Sequence, residues 1–256
     1  KSFEIEEALQ DLGIPIYHDD QHGTATVVYA GLLNAAKVVN KPFTSLRVCI
    51  NGAGAAGNAI AKMLLGIGVP GHFPTVKEII LCDTKGILYA GRKDMDPAKH
   101  ELTTYTNPTK KKGTLSDAIR GMDVFIGVSV AGALHSSMIK TMAKKPIIFG
   151  LANPVPEIMP DEAKKAGAAV VATGRSDFPN QANNALAFPG IFRGAMDAHA
   201  TRVTEGMNMA AAVALAEMVK SPTAEKILPP LSDRNVAKVV AKAVQAQAKK
   251  EKVVRT

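Results

Sequence analysis

Hydrophobic and polar positions follow two different periods in turn along this chain, and the alternation predicts helices and strands in succession. Val28, Leu32, Ala35 and Val39 fall on one face of a helix over residues 24–39. Five short, unbroken apolar runs predict strands at residues 47–51, 78–82, 124–128, 147–151 and 169–173. Helical segments are predicted between these strands, at residues 58–67, from Thr114, at 137–142 and at 160–166. Because such strands are buried on both faces, we expect an α/β fold with a doubly wound parallel sheet of about five strands.

The strand pattern stops after Thr173, and the rest of the chain is predicted to be a loop followed by helices. Helical stretches rich in Met and Ala reach about Lys220, and a last helix, capped by Ser232, is predicted over residues 233–249. We therefore expect a lead-in segment at residues 1–23, a nucleotide-binding domain at 24–220, and a C-terminal helix and tail at 221–256.

Composition excludes several classes of function. The 256 residues, 46% of them hydrophobic, suffice for a full core, and no apolar run approaches the ~20 residues of a membrane helix. The net charge of +8 comes from scattered lysines without interleaved aromatic residues, so we expect neither a nucleic acid nor a membrane as partner. Cys49 and Cys82 lie in apolar runs, and we expect two buried thiols in a reducing, cytoplasmic compartment.

A glycine-rich loop follows the first predicted strand and precedes a predicted helix. Gly52, Gly54 and Gly57 have the spacing that permits a tight turn, a close approach of the backbone to a pyrophosphate, and close packing of the helix. The small residues between them, which keep that approach open, are Ala53, Ala55 and Ala56. The loop predicts a Rossmann-like dinucleotide site, and a glycine-rich turn without a ligand is the alternative.

Further cofactor contacts are expected where other strands end. A carboxylate at Asp83 would accept the ribose hydroxyls and favour NAD, whereas Thr84 and Lys85 could serve the 2′-phosphate of NADP. Val128 and Ser129, at the end of the third predicted strand, are candidates for a third contact. The alternative is that Lys85 and the residues at this strand end are ordinary turn residues without a cofactor contact.

Acidic and amide side chains suggest a second site. Asp19 and Asp20 stand in a predicted short loop, and a hard divalent cation such as Mg²⁺ or Mn²⁺ prefers several oxygen ligands, although helix capping would also explain an acidic pair. Amides at Asn153 and at the pair Asn183 and Asn184 could bind a carboxylate, a hydroxyl or a nicotinamide, or could be turn residues.

Four segments together resemble the short, bacterial-type malic enzymes. They are residues 15–25 (PIYHDDQHGTA), 51–57 (NGAGAAG), 152–154 (ANP) and 173–181 (TGRSDFPNQ), the last with its two asparagines shortly after. The resemblance implies oxidative decarboxylation of L-malate to pyruvate and CO₂, with NAD or NADP as hydride acceptor and Mg²⁺ or Mn²⁺ as the metal. By matching residues, it makes Asp20 a metal ligand with Asp19 beside it and places Ala53 to Ala56 along the dinucleotide. It also brings Asn153 and Asn184 to the cofactor or malate, with Asn183 at the cofactor.

The chain departs from the family pattern at its start. The family carries an N-terminal region with a tyrosine acid, a lysine base and a Glu-Asp pair that completes the metal site, and no residue here matches them. Tyr17, Lys37 and Lys41 are not at matching positions. We therefore expect no catalytic acid or base in this chain, which would be inactive alone, would require the N-terminal domain as partner, and would form a homodimer. A catalytically dead dinucleotide-binding module and an oxaloacetate decarboxylase relative are the alternatives.

Overall fold

A single six-stranded sheet organises the computed structural model, which describes residues 2–9 and 12–255. The strands are β1 (Arg47–Asn51), β2 (Glu78–Asp83), β3 (Gly86–Ile87), β4 (Val124–Gly127), β5 (Ile147–Gly150) and β6 (Val170–Thr173). Their order is β3-β2-β1-β4-β5-β6, and all pairs are parallel except β2 with β3. The predicted α/β fold and its five parallel strands are thus confirmed. The sequence does not predict β3, because two residues are too few to carry a period.

Helices cover both faces of the sheet. The α-helices of the described residues are α1 (Ser2–Leu9), α2 (Asp19–Val39), α3 (Ala55–Leu64), α4 (Pro97–Leu102), α5 (Leu115–Ile119), α6 (Ser136–Ile139), α7 (Pro160–Lys165), α8 (Phe188–Asp197), α9 (Glu205–Glu217) and α10 (Asn235–Lys250). Alternate strand residues separate into two cores: Val48 and Ile50 pack in the larger core with α2, α3, α8, α9 and α10, and Cys49 packs in the smaller one with α5, α6 and α7. This division is the doubly wound arrangement that the apolar runs predict.

Buried polar contacts tie α2, the central helix of the larger layer, to distant parts of the chain. The amide of Asn34 donates to the carbonyl oxygens of Ala216 and Ile227 at 2.9 and 3.0 Å. The hydroxyl of Tyr29 donates to the carbonyl oxygen of Pro74 at 2.7 Å. The helix α10 packs on α8 and α9 and places Val240 in the same core. The predicted division into segments 1–23, 24–220 and 221–256 remains a prediction.

Some predicted helix starts are wrong. The helix α2 begins at Asp19, not at residue 24, so the acidic pair lies in its first turn and not in a loop. Polar residues 19–22 hide that turn because they carry no apolar period. The last helix begins at Asn235 with Arg234 as its N-cap, so Ser232 does not cap it. The predicted cap at Thr114 is confirmed by its reciprocal hydrogen bonds with Asp117. No helix within the described residues has the length and apolar character needed to cross a membrane.

Candidate dinucleotide and metal site

A cleft of about 1240 Å³ opens at the carboxyl ends of the central strands. The strand β1 lies between β2 and β4, so the chain winds away from it in both directions, and ligands of doubly wound sheets bind at this point. The predicted residues that line the cleft are Gly52, Ala53, Gly54, Asp83, Thr84 and Ser129. Those outside the lining are Asp19, Asp20, Ala55, Ala56, Gly57, Lys85, Val128, Asn153, Asn183 and Asn184. Their assignment to particular ligands remains a prediction.

The glycine loop needs its glycines for different reasons. Gly52 has a φ of +120°, and a Cβ there would lie 2.6 Å from the carbonyl oxygen of Val128. A Cβ at Gly57 would overlap the carbonyl oxygen of Gly52. By contrast, a Cβ at Gly54, the N-cap of α3, would meet no atom within 4 Å. The first and third glycines therefore serve packing, and the second keeps the start of α3 open to the cleft.

Asp83, at the end of β2, is a nearly buried carboxylate with bonds to both oxygens. Its Oδ1 accepts the backbone N–H of Lys85 at 2.9 Å, and its Oδ2 accepts Nη2 of Arg92 at 2.7 Å and Nζ of Lys99 at 3.2 Å. Burial raises the pKa of Asp83, but the bonds from Arg92, Lys85 and Lys99 outweigh it and hold the pKa below its usual value. The carboxylate is therefore charged at neutral pH.

Arg92 and Lys85 differ in how deeply their charged groups are buried and in how many hydrogen bonds they form. Arg92 is buried, and its guanidinium also donates to Asp94 and to the carbonyl oxygens of Gly86 and Ile87. Lys85 pairs with Asp94 at 2.9 Å, but 63% of its side chain is exposed. Of the two, Lys85 is the cation that can turn to a ligand.

Glu157, which the sequence analysis does not predict as a site residue, connects the ends of β4 and β5. Glu157 is fully buried and accepts the backbone N–H of Ser129 through Oε1 at 2.9 Å and that of Ala152 through Oε2 at 3.0 Å. Burial raises the pKa of Glu157 above its usual value, although these amide bonds oppose the shift. The side chain of Asn51 donates to Oγ of Ser129 at 2.8 Å, so β1 is joined to the same group.

Asp19 contacts the loop that carries Asn183 and Asn184, called the amide loop below. Nδ2 of Asn184 donates to Oδ2 of Asp19 at 2.6 Å, while Oδ1 of Asp19 is buried with no hydrogen-bond partner among the described residues. Burial and the neighbouring charge of Asp20 raise the pKa of Asp19, and the bond from Asn184 opposes them. Asp20 is exposed, and His18, not an aspartate, is the N-cap of α2. Neither acid therefore serves as the helix cap.

The other amides lie in different settings. Oδ1 of Asn183 accepts the N–H of Ala185 at 2.9 Å, which is a turn bond, and Asn153 is exposed beside Gly174. Within the ranges that the structure describes, no group of three or more His, Cys, Asp or Glu side chains is arranged to hold a metal ion. Among the described residues, the acidic pair therefore has no third side chain of these types arranged with it to hold a metal.

A cluster around His22 lines the same cleft, and the sequence prediction misses its two acidic partners. Nε2 of His22 lies 2.7 Å from Oε1 of Glu6, and Nδ1 lies 3.4 Å from Oε1 of Glu205. Burial lowers the pKa of His22, but the contacts with Glu6 and Glu205 outweigh it and raise the pKa above its usual value. The ring of Tyr17 packs at 5.6 Å from that of His22. Glu6 and Glu205 are distant from His22 in the chain, so no local pattern pairs them with it.

The sheet order, the glycine loop and the cleft at the strand ends define a dinucleotide-binding α/β domain. The family model for the malic enzyme, NAD binding domain, matches residues 21–249. The chain therefore belongs to the malic enzyme family as its NAD-binding domain, and the resemblance to malic enzymes is confirmed.

Individual relatives agree with this family. The chain is 52% identical to the bifunctional malic/malolactic enzyme of Bacillus subtilis, over 99% of this chain and 61% of that protein. It is 45% identical to the NAD-dependent malic enzyme of Geobacillus stearothermophilus, over 100% of this chain and 52% of that protein. The crystal structure of the NAD-dependent malic enzyme of Thermotoga maritima matches with a TM-score of 0.89 at 43% identity, over 95% of this chain and 63% of that one. The chain thus spans between 52% and 61% of these two curated relatives.

Proposed function

We propose that this chain is the cofactor- and metal-binding half of an NAD(P)-dependent malic enzyme that converts L-malate to pyruvate and CO₂. The hydrogen bond between Asn184 and Asp19, which are 165 positions apart, is the observation that carries the proposal. It joins the amide loop to the turn that holds the acidic pair, and His22 of that turn lines the cleft of the glycine loop. A 2-hydroxy acid and a hydride acceptor would therefore lie side by side.

The cleft has features that fit a dinucleotide. The open face of Gly54 and the free N–H groups at the start of α3 would receive the pyrophosphate, because a helix N-terminus attracts anions. The charged carboxylate of Asp83 would accept the ribose hydroxyls of NAD, and the exposed Lys85 would offer a cation to the 2′-phosphate of NADP. When bound, the dinucleotide supplies the hydride acceptor.

The acidic pair fits part of a site for Mg²⁺ or Mn²⁺. Asp20 offers an exposed carboxylate, and one oxygen of Asp19 has no partner in the part of the chain that the structure describes. A divalent cation held there would polarise the malate hydroxyl and carboxylate. Asn184 fixes the other oxygen of Asp19, so the direction of the carboxylate is set before any ligand binds. We propose that the remaining carboxylates and the catalytic acid and base come from a further domain of the enzyme, which acts as a homodimer.

The test compares this chain alone with the same chain joined to the sequence that precedes it in the gene. The chain alone should bind NADH, detected by the fluorescence of the nicotinamide, without reducing NAD or NADP when malate and Mn²⁺ are added. The longer protein should reduce one of them and release pyruvate, and dissociation constants for NAD and NADP measure the preference. Dinucleotide binding without malate oxidation would instead identify a catalytically dead module, and release of CO₂ from oxaloacetate alone would identify a decarboxylase.

A separate substitution tests the proposal that Asp20 is a metal ligand. Asp20→Asn in the longer protein should abolish Mn²⁺-dependent turnover and leave the dissociation constant for NADH unchanged. Asp161→Asn is the matched control, because Asp161 is also an exposed acid in the first turn of a helix. Turnover that survives in Asp20→Asn at the rate of the control contradicts the assignment.

A further inference from the structure

Glu157 is a buried carboxylate without a role in the function proposed above. No part of its side chain is exposed, and the main influences on its pKa are burial and hydrogen bonds rather than a neighbouring cation. Burying a charged carboxylate without a cation costs several kcal/mol unless hydrogen bonds replace the lost water. Here the bonds come from the backbone N–H groups of Ser129 and Ala152. The two carboxylate oxygens thus hold two backbone segments.

Those two segments are the loops that leave neighbouring strands. Gly127 and Gly150, the last residues of β4 and β5, are paired in the sheet, and the carboxylate of Glu157 lies against both. A Cβ at Gly127 would lie 2.6 Å from Oε1, and one at Gly150 would lie 3.6 Å from Oε2. Glycine at 127 therefore makes the space that the carboxylate occupies.

The position of these loops indicates which half of the dinucleotide they would contact. Asp83, the proposed ribose ligand, ends β2 on one side of β1, whereas β4 and β5 lie on the other side. In a doubly wound sheet the two mononucleotide halves bind on opposite sides of this point, so the loops after β4 and β5 belong to the nicotinamide half. The bond from Asn51 to Ser129 extends the connection to the residue before the glycine loop.

We infer that Glu157 is a positioning residue for the nicotinamide half of the cofactor: its two oxygens fix the spacing of the loops after β4 and β5. A carboxylate suits this task because it accepts at both oxygens, whereas an amide would turn one N–H donor toward another. The inference rests on the proposed dinucleotide site. It does not depend on the metal or on the malate chemistry.

The experiment compares a whole dinucleotide with one half of it. Glu157→Gln should raise the dissociation constant for NADH about tenfold, or ~1.4 kcal/mol, and leave that for AMP unchanged. Glu162→Gln is the matched control, because Glu162 is an exposed glutamate that accepts one hydrogen bond, from Ser136. Gly127→Ala, which displaces the same carboxylate, should reproduce the selective loss and serves as the second variant if Glu157→Gln does not fold. Binding is measured well below the unfolding temperature of each variant.

Different results separate the two proposals. If the unsubstituted protein does not bind NADH, the dinucleotide site itself is wrong. If it binds NADH and the folded variants bind it equally well, the role of Glu157 is wrong while the site stands. Equal weakening of NADH and AMP would also overturn the inference, because it would mean that Glu157 only supports the fold.

Discussion

Gly52 and Gly54 stand two residues apart in the glycine loop, but substituting each by alanine should affect different properties. At Gly52 the φ of +120° is strained for an L-residue by about 1–3 kcal/mol. The added Cβ would also lie 2.6 Å from the carbonyl oxygen of Val128. That oxygen belongs to the backbone and cannot rotate away, so overpacking adds another ~1–3 kcal/mol. Gly52→Ala should therefore destabilise the fold by about 4 kcal/mol in total.

Gly54→Ala should leave the fold intact and weaken binding. Gly54 has a φ of −86°, which any residue adopts, and its Cβ would meet no atom within 4 Å. Its effect on stability should stay within about 0.5 kcal/mol. The methyl group would instead occupy the space through which the pyrophosphate approaches, so the dissociation constant for NADH should rise at least about tenfold, or ~1.4 kcal/mol.

Thermal unfolding and NADH fluorescence measure the two effects separately. At ~2–4 °C per kcal/mol, Gly52→Ala should lower the Tm by roughly 10 °C, and Gly54→Ala by no more than about 2 °C. Gly91→Ala is the control for backbone strain alone, because Gly91 has a φ of +95° with no atom near its Cβ. It should lower the Tm by less than Gly52→Ala and bind NADH normally. The reasoning is refuted if Gly54→Ala is destabilised as much as Gly52→Ala, or if it binds NADH with unchanged affinity.

Two further predictions concern buried ionisable groups. Burial raises the pKa of Asp123, but bonds from Lys41 at 2.7 Å and the N–H of Arg47 at 3.0 Å outweigh it and lower the pKa. This stabilisation is present above the unfolded pKa of about 4 and is lost as the pH falls through the lower folded value. Asp123→Asn should therefore flatten the fall of Tm below about pH 4, and an unchanged acid slope contradicts the prediction. The thiols of Cys49 and Cys82 are buried, and the hydrogen bond that the Cys49 thiol makes with Cys82, together with burial, raises the pKa of Cys49. A thiol reagent should label neither in the folded protein and both in denaturant, and rapid labelling of the native protein would count against it.

The sheet could be predicted from sequence because its parallel strands are buried on both faces. Each strand is therefore a continuous apolar run, such as residues 147–150, and the helices between them carry a separate period. The start of α2 could not be predicted in the same way. Its first turn is polar, and it is helical because the backbone N–H groups of Gln21 and His22 bond to the carbonyl oxygen of His18. Apolar periodicity cannot detect such a turn.

The same difference applies to the candidate site: its local features could be predicted from sequence, and its contacts between separate segments could not. The glycine loop is local, and the strand before it and the helix after it gave enough context to predict its place in the fold. The partners of Asp83, by contrast, come from later segments of the chain. Arg92 follows β3, and Lys99 lies in α4. The contact between Asp19 and Asn184 spans most of the domain. Only the family resemblance suggested that these two residues share a site.

In the part of the chain that the structure describes, buried polar atoms without a hydrogen-bond partner are concentrated in one part of the candidate site. Asp83 and Glu157 have partners for both carboxylate oxygens, so these parts of the site are formed without a ligand. In the described residues, the buried side-chain polar atoms without a partner belong to Tyr17, His18, Asp19 and Asn208. A buried polar group left unpaired costs ~1–3 kcal/mol, and three of these four residues are consecutive at the start of the acidic turn. Such a concentration is expected where a cation, or protein groups that share it, supply the missing bonds. Most of this cost therefore falls at the acidic turn, where the proposed function requires further ligands, and not at the residues proposed for the dinucleotide.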